Sequence, residues 1–400
     1  MRLTSIRCQI NYHRHVKRIW KRQGRLQAEE LIIPPALIEM GVPVLDAKEV
    51  LQETKLFKQH KIEVPPIPIP PSVFEKIKCS FVMHFKTKVS ESENQTLSLT
   101  KTLSYQGLPP QISSLVGHVS LPNQDDLVQT SILQAHVWDA DQKKLPKKVD
   151  ILRPGHIFRR DYGIRNKKKI AATLEKLTNL CDCATGKYPT CFDRAKHIDN
   201  SADVTVSRSN EFIRFKLPCD MLLTSREPLK RFASIDEVMS TQKQAVPNIY
   251  PIKHTLDLEK IEDTPTVLTS NTSHSGHLHT LFIAQKSFGF WFPKQLLARA
   301  IATCFSFSAL KARELYGENV SVLPEPVCVQ CAYMDLKTFN FIAYQLNTLD
   351  LDHNDGVKNQ VWVDEPLNLF HAITEKNGIE KYNPVVFSKL LALYLNGLVP

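Results

Sequence analysis

Eleven bases crowd the stretch between Gln142 and Lys169: Lys143, Lys144, Lys147, Lys148, Arg153, Arg159, Arg160, Arg165, Lys167, Lys168 and Lys169. They stand against two acids, Asp150 and Asp161, and His156, Phe158 and Tyr162 lie among them. Ammonium and guanidinium groups neutralise phosphates and release counterions, and exposed rings stack on unpaired bases. The residue types therefore suit contact with RNA. A solvated loop that keeps the chain soluble has the same composition, and composition alone does not separate the two readings.

Other constellations lack the spacing that their chemistry needs. Cys181, Cys183 and Cys191, with His197 nearby, offer zinc ligands. Structural zinc sites pair cysteines two to four residues apart, and the tight Cys-x-Cys here predicts unliganded thiols. A calcium loop counted from Asp350 needs glycine sixth and glutamate twelfth, where this chain has Asp355 and Val361. Asp350, Asp352, Asn354, Asp355 and Gly356 instead predict a turn between strands. His274, His277 and His279 lack the glutamate of a metalloprotease helix, and their serine-rich surroundings predict a solvated loop. Gly186-Lys187 is followed by Tyr188 and fails the phosphate-loop spacing, and no Gly-x-Ser-x-Gly elbow exists. The chain is thus expected to be no enzyme, with no catalytic residue, cofactor or metal.

The net charge of +10 is concentrated. Residues 1–28 hold eight bases and no acid, and with both basic segments set aside the remainder is mildly acidic. In that first segment Ile6, Ile10, Val16, Ile19 and Trp20 recur at helical spacing among arginines and lysines. A cationic amphipathic helix without acids is what mitochondrial import requires; a nucleic-acid arm or a nuclear signal on Lys17–Arg22 is the rival reading. Nine scattered cysteines, an odd number, predict reduced thiols rather than a disulfide framework. The most apolar stretch, Trp291 to Leu310, is broken by Pro293, Lys294 and Arg299, so a core helix is expected and no membrane span.

Four regions follow: a targeting segment 1–28, an extended proline-rich arm 29–72, a portion 73–245 that includes the basic segment, and a carboxy-terminal portion 246–400. In the arm, Val64 to Pro71 suits polyproline II and a short helix is expected over Asp46 to Gln59. Phe81 to Val89 alternates as a strand, with Phe81, Met83, Phe85 and Thr87 on one face. Ile170–Leu180 and Asp236–Ala245 have helical spacing. Pro293 opens a helix to Tyr316, stopped by Gly317. Val327–Tyr333 and Thr338–Leu346 form a hairpin, Gln360–Val363 a third strand, and Asn383-Pro384 caps a last helix ending at Gly397. The fold class is α+β: a mixed, mainly antiparallel sheet packed with helices, preceded by the proline-rich arm.

Certain runs go beyond periodicity: Tyr344-Gln345-Leu346-Asn347-Thr348, Asp350-Leu351-Asp352, Gly356-Val357-Lys358-Asn359 and Trp362-Val363-Asp364, then Leu391-Ala392-Leu393-Tyr394-Leu395. Ser308-Ala309-Leu310 and Leu315-Tyr316-Gly317 agree with them, and Leu99-Thr100-Lys101-Thr102 is a weaker upstream echo. In these runs the chain resembles the mitochondrial large-subunit ribosomal protein thirty-seven family, itself related to the mitochondrial ribosomal protein thirty family. The resemblance implies a structural constituent of the mitochondrial large ribosomal subunit, in the matrix, with no catalytic residues. Expected partners are proteins of that subunit, the related protein thirty family member among them, and mitochondrial rRNA through the basic segment. It does not extend clearly to residues 142–169, so no family contact is carried onto them. A free mitochondrial RNA-binding regulator and a matrix enzyme sharing the fold are the alternatives.

Overall fold

The computed structural model describes residues 33–41, 79–137, 143–145, 162–209, 211–262, 276–284, 291–352, 355–374 and 378–398. Two compact units divide between Pro70 and Pro71. In the first, a short exposed helix α1 (Pro35–Glu39) starts with proline at its first position, where no amide donor is needed, and stops before Gly41 at φ 65°. The targeting segment, the polyproline run and the helix expected over Asp46 to Gln59 lie outside the described residues.

The second unit opens with β1 (Cys79–His84), α2 (Ser92–Leu99), β2 (Thr102–Gln106), α3 (Pro110–Ser113) and α4 (Gln124–Val137). Then come β3 (Lys143–Lys144), β4 (Tyr162–Gly163), α5 (Asn166–Thr185), β5 (Ala195–Arg208), β6 (Glu211–Ser225), α6 (Ile235–Ser240) and β7 (Glu259–Glu262). The remainder is β8 (His277–Ala284), α7 (Pro293–Tyr316), β9 (Val322–Met334), β10 (Thr338–Thr348), β11 (Asn359–Val363), β12 (Leu367–Asn368), β13 (Ala372–Thr374), β14 (Gly378–Glu380) and α8 (Pro384–Leu395).

Ten strands form one sheet in the order β2-β11-β10-β9-β8-β6-β1-β7, with β5 on β6 and β12 on β10. Three of its pairings are parallel, β1 with β6, β8 with β9 and β11 with β2; the others are antiparallel. The fold is α+β. Strand alternation sends neighbouring side chains into two different cores. In β10, Ile342, Tyr344 and Leu346 enter the layer shared with α7, while Phe339, Phe341 and Ala343 enter the layer shared with α5 and α8. Burial on both faces explains why this strand reads as a continuous apolar run.

The carboxy-terminal elements follow the sequence closely. Helix α7 ends before Gly317, which takes φ 92°, and Asn383 Oδ1 accepts the Val385 amide hydrogen at the start of α8. Strand β1 is shorter than its alternation suggested. The chain turns after His84, whose carbonyl accepts from the Thr87 amide and whose amide donates to Thr87 Oγ1, and Phe85 is exposed rather than inward.

Candidate nucleic-acid interface

Six of the eleven bases fall among the described residues; Lys147, Lys148, Arg153, Arg159 and Arg160 lie outside them. Lys143 and Lys144 form a two-residue ribbon with Tyr162-Gly163, which sets Lys144 opposite the exposed Tyr162 ring. The chain then dives inward at the buried Ile164, which fixes where α5 begins. Arg165 is the residue before that helix, and its side chain makes no capping bond. Lys167, Lys168 and Lys169 fill the first turn, which has no acid. On the opposite side, Ile170, Leu174, Leu177 and Cys181 bury the helix in the core, and Lys176 Nζ donates to Gln134 Oε1 of α4 at 2.8 Å.

Arg165, Lys167 and Lys168 are exposed, as are Lys143 and Lys144. Lys169 is half-buried, and that burial lowers its ammonium pKa. Cations at a helix amino terminus oppose the helix dipole, each by roughly 0.3–1 kcal/mol. Amide donors at the same place attract anions. The arrangement is unfavourable for an isolated helix and favourable once phosphate is present.

The zinc and calcium readings resolve into structural roles. Cys181 is buried, Cys183 exposed, and Cys191 Sγ lies 3.2 Å from Thr185 Oγ1. His197 Nε2 is 3.2 Å from Thr224 Oγ1. Among the described residues no three His, Cys, Asp or Glu side chains are placed to hold a metal ion. In the acidic turn, cationic side chains already serve the main-chain carbonyls. Lys101 Nζ donates to Asp350 O at 3.0 Å, Arg208 Nη1 to Leu351 O at 2.5 Å, and Lys358 Nζ to Gly356 O at 2.9 Å.

The histidine stretch departs from the solvated loop that its serines suggested. His274 lies outside the described residues, His277 opens β8 half-buried, and His279 is fully buried. His279 Nε2–H donates to Asn396 O at 2.9 Å, so Nδ1 accepts from Thr280 Oγ1 at 2.8 Å. Gln330 Nε2 donates in turn to Thr280 Oγ1 and to Leu393 O, and Arg194 donates to Tyr394 O and Asn396 O. Serine-rich flanks hid a network that satisfies the carbonyls at the end of α8.

Burial, reinforced by the Arg194 charge, pushes the His279 imidazole down to about 3. The folded chain refuses a proton that the unfolded chain takes near pH 6.5. Stability is therefore complete above pH 6.5 and falls on acidification toward about 3. At pH 5 the expected loss from this group is about 2 kcal/mol. Urea unfolding at pH 7.5 and pH 5 checks it: His279→Gln should flatten the slope by up to one proton, and an unchanged slope would refute the assignment.

The runs that carried the family resemblance meet in the interior, where their polar side chains bond one another. Gln345 Oε1 accepts the amide hydrogens of Phe232 and Ala233, and Gln345 Nε2 donates to Asn347 Oδ1. Asn359 Oδ1 accepts the amides of Asn347 and Thr348 at 2.8 and 2.9 Å, while Asn359 Nδ2 donates to Thr100 O and Thr348 O at 2.9 and 3.1 Å. The Asn359 amide donates to Lys101 O, which starts the parallel β2–β11 register. The upstream echo Leu99–Thr102 is thus the direct partner of Gly356–Asn359.

A cavity of about 700 Å³ opens between α7, the start of β9 and the segment after β6, walled by Leu229, Leu278, Leu315, Tyr316 and Val327. Two of its cations are paired: Arg231 Nη2 lies 2.9 Å from Glu325 Oε2, and Lys311 Nζ 3.1 Å from Glu314 Oε2. Burial pushes the adjoining Cys328 thiol up to about 12, which leaves it no thiolate near neutral pH. No helix among the described residues is long and apolar enough to cross a membrane.

Residues 294–397, from α7 through α8, match the family described as mitochondrial 28S ribosomal protein S30 (PDCD9). The large ribosomal subunit protein mL37 of Gallus gallus is 30% identical over 339 residues, which is 80% of this chain and 74% of that protein. The mL37 proteins of Rattus norvegicus and Mus musculus are 29% and 28% identical, over 80% and 83% of this chain and 75% and 78% of theirs.

Proposed function

The chain belongs to the family of the large ribosomal subunit protein mL37, and on that premise we propose that it is a structural constituent of the mitochondrial large ribosomal subunit. The carrying observation is the breadth of the likeness, which spans 80% of the chain and so covers most of the ten-stranded sheet rather than one motif. It acts in the mitochondrion, in the matrix, and it supports translation through contacts rather than turnover. The pairing of Arg231 and Lys311 and the protonated Cys328 thiol at the cavity support a non-catalytic role. Partners in this reading are proteins of the large subunit, a member of the protein thirty family among them. Residues 1–28 serve as the import segment.

The basic cluster contacts rRNA in this reading, because exposed cations gathered beside the amide donors at the start of α5 favour an anion there. Sedimentation of mitochondrial lysate tests the whole assignment: the protein is expected to move with the large subunit and to enter lighter fractions when the particle is dissociated. Recovery solely as free protein would end it. The RNA contact has its own test. Lys143→Glu, Lys144→Glu, Lys167→Glu and Lys168→Glu together are expected to leave incorporation intact at low salt and start release at lower salt. The slope of log affinity against log salt should shrink by about 0.7–0.9 for each phosphate that is no longer neutralised. An unchanged salt profile would assign the segment to solvent.

A further inference from the structure

A sheet edge presents unpaired amide and carbonyl groups, and proteins guard such edges with short strands, charge, proline or a covering element. This sheet guards two of its edges. β7 carries Glu259, Lys260 and Glu262 in four residues, and β2 is five residues long. β5 differs. It runs for 14 residues, and among the described residues it pairs with β6 alone. β1 and β8 both bond to β6 as well, at Phe212–Lys216 and Met221–Ser225, so they share the far side of β6 and leave β5 outermost.

From Asn200 to Val206 this strand has no lysine, arginine, proline or glycine. Its one charge, Asp203, is locked to Arg214 on β6 by bonds of 2.7 and 2.6 Å. One face is fixed in the core by Ala202, Val204 and Val206, so the strand is held in register from Asn200 onward, beyond Asp199 at φ 54°. Large apolar side chains stand in water at its leading end: Ile198 is 76% exposed and Phe192, just before the strand, 79% exposed.

We propose that the outer edge of β5, from Asn200 to Val206, receives an extended segment of a neighbouring protein as an added strand. That segment is neutral over its length and carries an apolar residue that covers Ile198. Main-chain bonds supply affinity and the apolar end supplies register. A second copy of this chain fits poorly. Two-fold antiparallel pairing centred on the edge would set Asp203 against its symmetry mate, a like-charge contact. The neighbour is a subunit protein if the chain is a ribosomal constituent, so the proposal rests on that reading.

Hydrogen exchange with single-residue fragmentation tests it, on the full chain free and within the purified large subunit. In an added strand only alternate amides face the newcomer, because the others already bond to β6. The expected result is at least a tenfold slowing of every second amide from Asn200 to Val206 in the particle, persisting after ribonuclease treatment. Equal exchange in both samples overturns the proposal. So does protection that vanishes with the RNA, protection already present in the free monomer, or protection that appears only as free chain is concentrated. Sedimentation of the same samples reports incorporation separately, so an unprotected edge in an incorporated protein defeats this inference and leaves the proposed function standing.

Discussion

Asn359→Leu is expected to destabilise the folded chain by about 4 kcal/mol, because one side chain serves four buried main-chain groups. The leucine fills a similar volume but leaves the amides of Asn347 and Thr348 without an acceptor. An orphaned buried donor costs about 1–3 kcal/mol, and the carbonyls of Thr100 and Thr348 are each deprived of a donor. Little water can repair this, since Asn359 is fully buried and Thr348 and Lys101 beside it nearly so. Asn359→Asp separates shape from polarity: it keeps both acceptor contacts but turns a charged oxygen toward the two carbonyls. It should be at least as damaging at pH 7 and partly recover on acidification. Urea unfolding of the two variants decides the matter. A loss under about 1 kcal/mol for leucine would mean that the turn rearranges, and the network would then be incidental to the fold.

Phe305→Ala is expected to cost about 3–5 kcal/mol by a different route, the opening of a cavity. Phe305 is fully buried in α7, with its ring centroid 5.2 Å from that of Phe215 on β6 and the rings inclined at 62°. Such a tilted pair adds about 0.5–1.5 kcal/mol to the area it buries. The site cannot collapse readily. Helix α7 is 24 residues long and packs on β5, β6, β8, β9 and β10, so moving toward the gap would disrupt packing along its whole length. Phe305→Leu, which keeps most of the volume, should recover more than half of the stability. Equal destabilisation by both variants would show that ring geometry rather than volume sets the cost. Domains are stable by only about 5–15 kcal/mol, so the alanine variant should also reach the particle at lower abundance.

These two residues differ in how far the sequence announces them. Phe305 sits on the apolar stripe of a helix whose start at Pro293 and stop at Gly317 are visible in the residues themselves. Asn359 gives no periodic signal and stands out only because it lies in a run shared with a known family. What that resemblance detected is an interior bonding pattern rather than a docking surface. This is why the fold and the family were legible while the contacts of the basic segment were not. His279 was misplaced for a related reason: serine-rich flanks suggest water, and nothing local reveals that Asn396, 117 residues on, waits to accept its proton.

Periodicity, caps and charge runs are properties of neighbouring residues, so the sequence by itself determined α7, α8, the β9–β10 hairpin, the basic cluster and the family. The tertiary structure alone decided which distant groups meet. It brought Lys101 to Asp350 across 249 residues, buried the Asn359 network between three strands, and set β5 outermost beside β6. The physical reason is that a hydrogen bond or a packed ring depends on where the chain returns in space, and local spacing fixes only which face of an element points inward.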